Sequence, residues 1–84
     1  MNMPQTEIYS KLTGIFHDVF DDSAIALAPH TCAADISGWD SFNHINLVIA
    51  IESAFSVKFN TTELERMNCV DDIVSLIQQK SSLN

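Results

Sequence analysis

The chain has 84 residues, a mass of 9.3 kDa and a formal charge of −7, from four Lys and Arg against eleven Asp and Glu. A chain of this length is expected to be one domain, residues 1–84, burying only roughly 60–65% of the surface its unfolded form exposes; that leaves too little chain to wall off a deep catalytic pocket. The negative balance argues against nucleic acid and against an anionic membrane surface, and favours a basic protein partner whose electrostatic steering weakens as salt rises.

The first periodic stretch places Ile8, Leu12, Ile15, Phe16 and Val19 at helical steps, one apolar face of an amphipathic helix. Pro4 stands where a first turn tolerates it, and Gly14 inside the stretch costs about 1 kcal/mol relative to Ala. Residues 21–40 break the pattern with Pro29, Gly38 and scattered apolar residues (Ile25, Leu27, Ile36). A connection this long in a small domain tends to be functional, and its apolar residues are expected to pin it to the core.

A second helix is expected from Ser41, with Asp40 as its N-cap and Phe42, Ile45, Val48, Ile49, Glu52 and Phe55 recurring at steps of three or four. Leu47 and Ile51 widen its face, the mark of a helix that is buried or offers a second apolar face to a partner. Val57 and Phe59 alternate as in a short extended piece. Thr61 or Thr62 is expected to cap a brief helical turn through Arg66. Asn68 is expected to cap a last helix with Asp71 at the capping-box position and Val70, Ile73, Val74 and Ile77 on its apolar face. Asp71 and Asp72 at its start and Lys80 near its end suit the helix dipole. The reading is all-α: a small four-helix bundle, three main helices plus one short one, with a long loop between helices one and two.

Hydrophobic residues make up 46% of the chain, ordinary for a folded domain and too many for a disordered acidic tail. Cys32 and Cys69 have neither CxxC spacing nor a histidine partner; in a chain read as lacking a secretory segment they are expected to be free thiols. Residues 1–7 carry no basic region followed by an apolar run, and no stretch is long enough to span a bilayer, so the expected address is cytoplasmic and membrane insertion is not expected. His17, His30 and His44 lack metal-ligand spacing, and Asp18, Asp21 and Asp22 lack the pattern of a calcium loop; no metal is expected. Met1, Met3 and Met67 need no special role, and Trp39 is expected to bury part of its ring and fix the loop ahead of Ser41.

The segment that can carry chemistry is Gly38-Trp39-Asp40-Ser41-Phe42-Asn43-His44-Ile45-Asn46-Leu47. A serine at a helix start admits two readings from spacing alone. It helps Asp40 cap the helix, or it accepts a phosphate-linked group, which the free N–H groups and dipole of a helix start favour by about 0.3–1 kcal/mol when exposed.

Trp-Asp-Ser-Phe, followed by Asn-His-Ile-Asn-Leu-Val-Ile-Ala-Ile-Glu and Ala-Phe-Ser-Val-Lys-Phe, resembles the phosphopantetheine attachment region of the acyl carrier proteins, and the similarity extends over nearly the whole chain. The resemblance implies that Ser41 is joined to 4′-phosphopantetheine by a separate transferase using coenzyme A. It implies that the arm's thiol, not Cys32 or Cys69, carries acyl groups. Asp40 matches the family's acidic residue before the serine, as helix cap and element of transferase recognition. Phe42, where the family most often has leucine, would form an exposed apolar stripe with Ile45 and Ile49, a partner-binding surface completed by Glu52; plain core packing is the other reading for Ile45 and Ile49. The implied role is a carrier, not an enzyme, with no catalytic residues. The implied partners are the phosphopantetheinyl transferase and acyl-loading and acyl-processing enzymes of ligase, ketosynthase or acyltransferase type, meeting a monomer.

One departure bears on the pathway. Family members of fatty acid synthesis usually carry many carboxylates along the second helix, whereas here Glu52 is the only acid between Ser41 and Phe55. A dedicated carrier of a specialised fatty-acid or polyketide-type pathway is expected. A peptidyl or aminoacyl carrier of a nonribosomal pathway is the alternative; an unmodified helical interaction module follows, against which the intact Asp40-Ser41 pair argues. A serine hydrolase fails for want of a Gly-x-Ser-x-Gly elbow. His44, one turn from Ser41, lies close enough to touch an arm or a partner.

Overall fold

The computed structural model describes residues 4–82; Met1 and Met3, and the start of the segment read for targeting signals, lie outside them. The helices are α1 (Gln5–Phe20), α2 (Ser41–Phe55), α3 (Thr61–Arg66) and α4 (Val70–Ser82), with a 3-10 turn, Ala33–Asp35, inside the long loop. The order and the all-helical class agree with the periodicity of the sequence.

In α1, Ile8, Leu12 and Phe16 are fully buried while Ile15 and Val19 pack at the edge of the core. Pro4 lies just ahead of the helix, and its carbonyl accepts the Glu7 and Ile8 amides. The helix ends at Asp21, which adopts a left-handed conformation, φ 51°, a position glycine fills more easily. Helix α1 packs on both α2 and α4. From α2 come Leu47, Val48, Ile51 and Phe55; from α4 come Val70, Ile73, Val74, Leu76 and Ile77. Met67, between α3 and α4, is fully buried in the same cluster. Truncating one such residue to Ala typically costs about 2–5 kcal/mol, a large share of the 5–15 kcal/mol that holds a small domain folded.

Two local expectations are corrected. The segment 57–60 pairs with no strand; among the described residues the only β pairing is the isolated antiparallel bridge between Cys32 and Cys69. The turn after α2 is instead held by Glu52, whose carboxylate accepts the Phe59 amide at 2.9 Å. The cap of α3 is Asn60, not Thr61 or Thr62. Its side chain accepts the Glu63 amide at 2.8 Å while Glu63 accepts the Asn60 amide at 3.0 Å, a complete capping box. Asn68 does not cap α4; its amide group donates to the Glu65 carbonyl at 2.9 Å and closes the end of α3.

The start of α4 is satisfied from the long loop. The Val70 amide donates to the Thr31 carbonyl at 2.8 Å and the Asp71 amide to the Pro29 carbonyl at 3.1 Å, while the Ala33 amide donates to the Asn68 carbonyl at 2.8 Å. These bonds take donors that a helix start leaves without intrahelical acceptors. Cys32 and Cys69 are joined by a disulfide at the same place, 37 positions apart in sequence. The expectation of free thiols is therefore overturned: backbone pairing of two distant segments brings the side chains together, and no short-range spacing announces it.

Candidate functional site

The loop reaches α2 through a turn that only a few residue types allow. Gly38 has φ +90°, so any side chain there is strained, and a Cβ would meet the Phe20 ring at 3.7 Å. Asp40 follows in extended conformation, and its carboxylate accepts the Asn43 amide at 2.9 Å. Asn43 adds the reverse link, donating from its side chain to the Gly38 carbonyl at 2.7 Å. Cap and turn thus hold each other, and Ser41 is fixed as the first residue of α2.

Ser41 is exposed, and its hydroxyl makes no hydrogen bond among the described residues. The first turn of α2 contains no acidic side chain, and the Asp40 carboxylate is turned onto its own helix. A phosphodiester on the Ser41 oxygen would meet first-turn amides and the positive end of the helix dipole. The residues present therefore fit a phosphate-linked group at this hydroxyl.

Beside Ser41 lies an open cleft of about 460 Å³ between the start of α2 and α3. Ile45 and Leu64 supply apolar wall, and Asp40, Glu65 and Asn68 give it polar edges. Trp39, 8% exposed, forms part of the lining and is anchored on the other side by an edge-on contact with Phe16, ring centroids 5.3 Å apart. Its indole N–H donates to Nδ1 of His44 at 3.0 Å, and Nε2 of His44 lies 2.8 Å from the Leu64 carbonyl. Indole nitrogen can only donate, so Nδ1 accepts and Nε2 carries the proton. His44 thus has both ring nitrogens engaged, bridging the loop, α2 and α3. Sequence spacing places it only one turn from Ser41, within reach of an arm or a partner. The signal was present in the pairing of Trp39 with a histidine five positions on, but the third partner is a backbone carbonyl that no side-chain pattern reveals.

Of the expected partner surface, Phe42 is 75% exposed, Ile49 57% and Ile45 45%, and the core is built without them. Glu52, expected to complete that surface, is half-buried with its carboxylate on the Phe59 amide. Several other acids that give the chain its charge are also engaged locally: Asp22 accepts the Ala24 amide at 2.9 Å, and Asp35 accepts the Cys32 amide at 2.9 Å. His17 contacts the Ile25 carbonyl at 2.8 Å, tying the loop to α1. Among the described residues, no group of three or more His, Cys, Asp or Glu side chains is placed to hold a metal ion, and no helix is long and apolar enough to cross a membrane.

No protein-family model matches the chain. Individual proteins do. The acyl carrier protein of Thermotoga maritima is 34% identical over 74 residues, covering 88% of this chain and 91% of that protein. The acyl carrier protein of Thermosynechococcus vestitus is 28% identical over 78 residues, covering 93% and 96%. The solution structure of a holo acyl carrier protein from Geobacter metallireducens superposes with a TM-score of 0.84 at 38% identity, covering 96% of this chain and 90% of that one. Proteins of this kind are carriers rather than enzymes. Near-complete coverage, identity above 30% and a shared helical bundle together lead to one conclusion: the chain belongs to the acyl carrier protein family.

Proposed function

We propose that this chain carries acyl intermediates on a 4′-phosphopantetheine arm attached to Ser41, as a single carrier domain that acts as a monomer. The observation that supports the attachment point is the exposed Ser41 hydroxyl at the first position of α2, held between the Asp40 cap and the cleft. In the transfer, the Ser41 oxygen forms a bond to the pantetheine-side phosphorus of coenzyme A and the phosphoanhydride bond breaks. Adenosine 3′,5′-bisphosphate leaves, and the hydroxyl proton passes to the phosphopantetheinyl transferase. When bound, the arm supplies a thiol that holds acyl groups as thioesters. Asp40 keeps the serine at the helix start and offers the transferase a fixed acidic neighbour.

Phe42, Ile45 and Ile49 form the docking stripe for acyl-loading and acyl-processing enzymes. An exposed apolar strip of this kind is costly to leave in water without a partner, and the scarcity of carboxylates on α2 shifts docking from ion pairs to apolar contact. This supports a specialised fatty-acid or polyketide-type pathway. The cytoplasm is the proposed address; the disulfide pulls the other way, because reducing compartments keep such pairs as thiols. Alkylation of cell extracts before and after reduction separates the two states.

The test is intact-protein mass spectrometry after incubation with coenzyme A and a promiscuous phosphopantetheinyl transferase. One adduct of phosphopantetheine mass is expected on the wild-type protein and none on Ser41→Ala, whose fold is expected to be intact because Asp40 still caps α2. An adduct retained by Ser41→Ala would overturn the assignment, and absence of any adduct with several transferases would favour an unmodified interaction module.

A further inference from the structure

The reading of Ser41 as an attachment point leaves unexplained why a half-buried imidazole stands across the seam between α2 and α3. We propose that His44 and Trp39 form a polar latch that confines the cargo to the surface cleft, so that the protein favours short acyl groups, especially those with hydrogen-bond donors, over long saturated chains. The proposal rests on the carrier function and concerns the class of cargo.

Three observations carry it. The cleft beside Ser41 is bounded by α2 on one side and by Leu64 and Glu65 of α3 on the other. The His44 ring joins these two walls: Nε2–H meets the Leu64 carbonyl at 2.8 Å, and Nδ1 receives the Trp39 indole proton at 3.0 Å. Leu47 and Ile51, three and seven residues on from His44 along α2, and Met67 just after α3 are fully buried. An alkyl chain passing inward between α2 and α3 must part the His44–Leu64 bond. The Leu64 carbonyl and the His44 Nε2–H then lose their partner where an alkyl chain offers none in return. Trp39 cannot swing aside freely, because Phe16 and Phe20 of α1 hold its far side, with centroids at 5.3 and 6.1 Å.

The cleft in front of the latch has a different character. Ala33 and Ile45 accept a few methylenes, while Asp40, Glu65 and Asn68 lie on its lining. Two carboxylates among these disfavour an anionic cargo and suit a hydroxyl or amine that donates. Each edge group keeps its hydration or gains a partner with a short polar cargo and loses it to a long alkyl chain.

The test loads the protein directly with butyryl, 3-hydroxybutyryl or decanoyl phosphopantetheine from the corresponding acyl-coenzyme A and follows thioester cleavage by hydroxylamine. Wild type is expected to leave the decanoyl thioester as accessible as the butyryl one, with the Leu47 and Ile51 amide resonances unmoved between holo and decanoyl forms. His44→Leu replaces the bridge with apolar volume and is expected to slow decanoyl cleavage by at least about fivefold, the lower end of the penalty for an unmade buried hydrogen bond. Butyryl cleavage should not change. Trp39→Phe, which keeps a ring against Phe16 but deletes the indole N–H donor together with part of the ring volume, should shift in the same direction. His44→Gln, which retains one donor and one acceptor, should restore the wild-type pattern. Wild-type protection of the decanoyl thioester by fivefold or more, with shifts at Leu47 and Ile51, would overturn the latch, as would His44→Leu and Trp39→Phe that both leave cleavage unchanged. If His44→Leu fails to fold by circular dichroism, the wild-type and Trp39→Phe results decide. A chain that takes no adduct at all refutes the carrier function itself, and the latch with it.

Discussion

The interior shared by α1, α2 and α4 and the corner around Ser41 are held together by different physics. The interior is a continuous apolar cluster, with Ile8, Leu12, Phe16, Leu47, Ile51, Ile73 and Ile77 all fully buried, and its stability comes from area removed from water. The corner has few fully buried residues. It is assembled from directional links: the Asp40 cap, the Asn43 bond to Gly38, the Trp39–His44–Leu64 bridge, loop carbonyls on the α4 amides and the disulfide. Non-directional burial tolerates substitution with graded loss. Directional links position a single hydroxyl, but each can be removed on its own.

Changes in the two regions should therefore differ in size and in kind. The largest effect is expected inside: Ile51→Ala should cost about 2–5 kcal/mol in urea unfolding, through lost transfer free energy and the cavity left behind. An effect below about 1 kcal/mol would mean that the interior adapts and the contrast with the corner is smaller than described. Next comes the crosslink. Closing a loop of this length restricts the unfolded chain, so Cys32→Ser should lower stability by about 2–4 kcal/mol relative to the oxidised protein. Reductant should destabilise wild type to a similar degree and leave Cys32→Ser unaffected, with the lost protection concentrated in the loop and the first turn of α4 by amide exchange.

Asp40→Ala should cost about 0.5–2 kcal/mol, the usual value of an N-cap side chain, and should also impair modification because Ser41 loses its fixed setting. Loss of stability without loss of modification would show that the cap serves the fold alone. In the opposite direction, Gly14→Ala should stabilise by about 0.5–1 kcal/mol, since α1 is helical there and a Cβ meets nothing within 4 Å.

The smallest effect is a pH dependence at α3. The Asn60 amide, donating into the capping box, and the Lys80 ammonium at 2.9 Å hold the Glu63 carboxyl below its ordinary range. Because the folded-state value is depressed, the contribution is present above the unfolded-state value and is lost as pH falls through the folded-state one. Glu63→Gln should flatten the acid limb of the thermal stability profile; an unchanged limb would remove Glu63 from the account.

The same division explains what could be read from the sequence. The steps between Ile8, Leu12 and Phe16, and between Val70, Ile73, Val74 and Ile77, state the helices and their buried faces directly, because helical period and burial are local properties. Asp40 as cap was legible for the same reason, but the buried face of α2 was not: Phe42, Ile45 and Ile49 share helical steps with Val48 and Phe55, and only packing decides that Leu47 and Ile51 turn inward while those three stay exposed. The corner was not legible. His44 depends on a carbonyl twenty positions away, Cys32 on a residue 37 positions away, and the α4 amides on Pro29 and Thr31. These partners meet only once the bundle has formed. The cap of α3 failed for a narrower reason: Asn60, Thr61 and Thr62 are all competent caps, and the reciprocal bond from Glu63, three residues after Asn60, selects among them.

The central claim is that Ser41 is the point at which this carrier is loaded. The most direct measurement is peptide mapping by tandem mass spectrometry of the protein isolated from its own host. A phosphopantetheine-derived ion on the peptide containing Ser41, with any acyl mass retained on the thiol, is the expected result. A modification found on another residue, or a fully unmodified protein in cells whose other carriers are modified, would contradict the account.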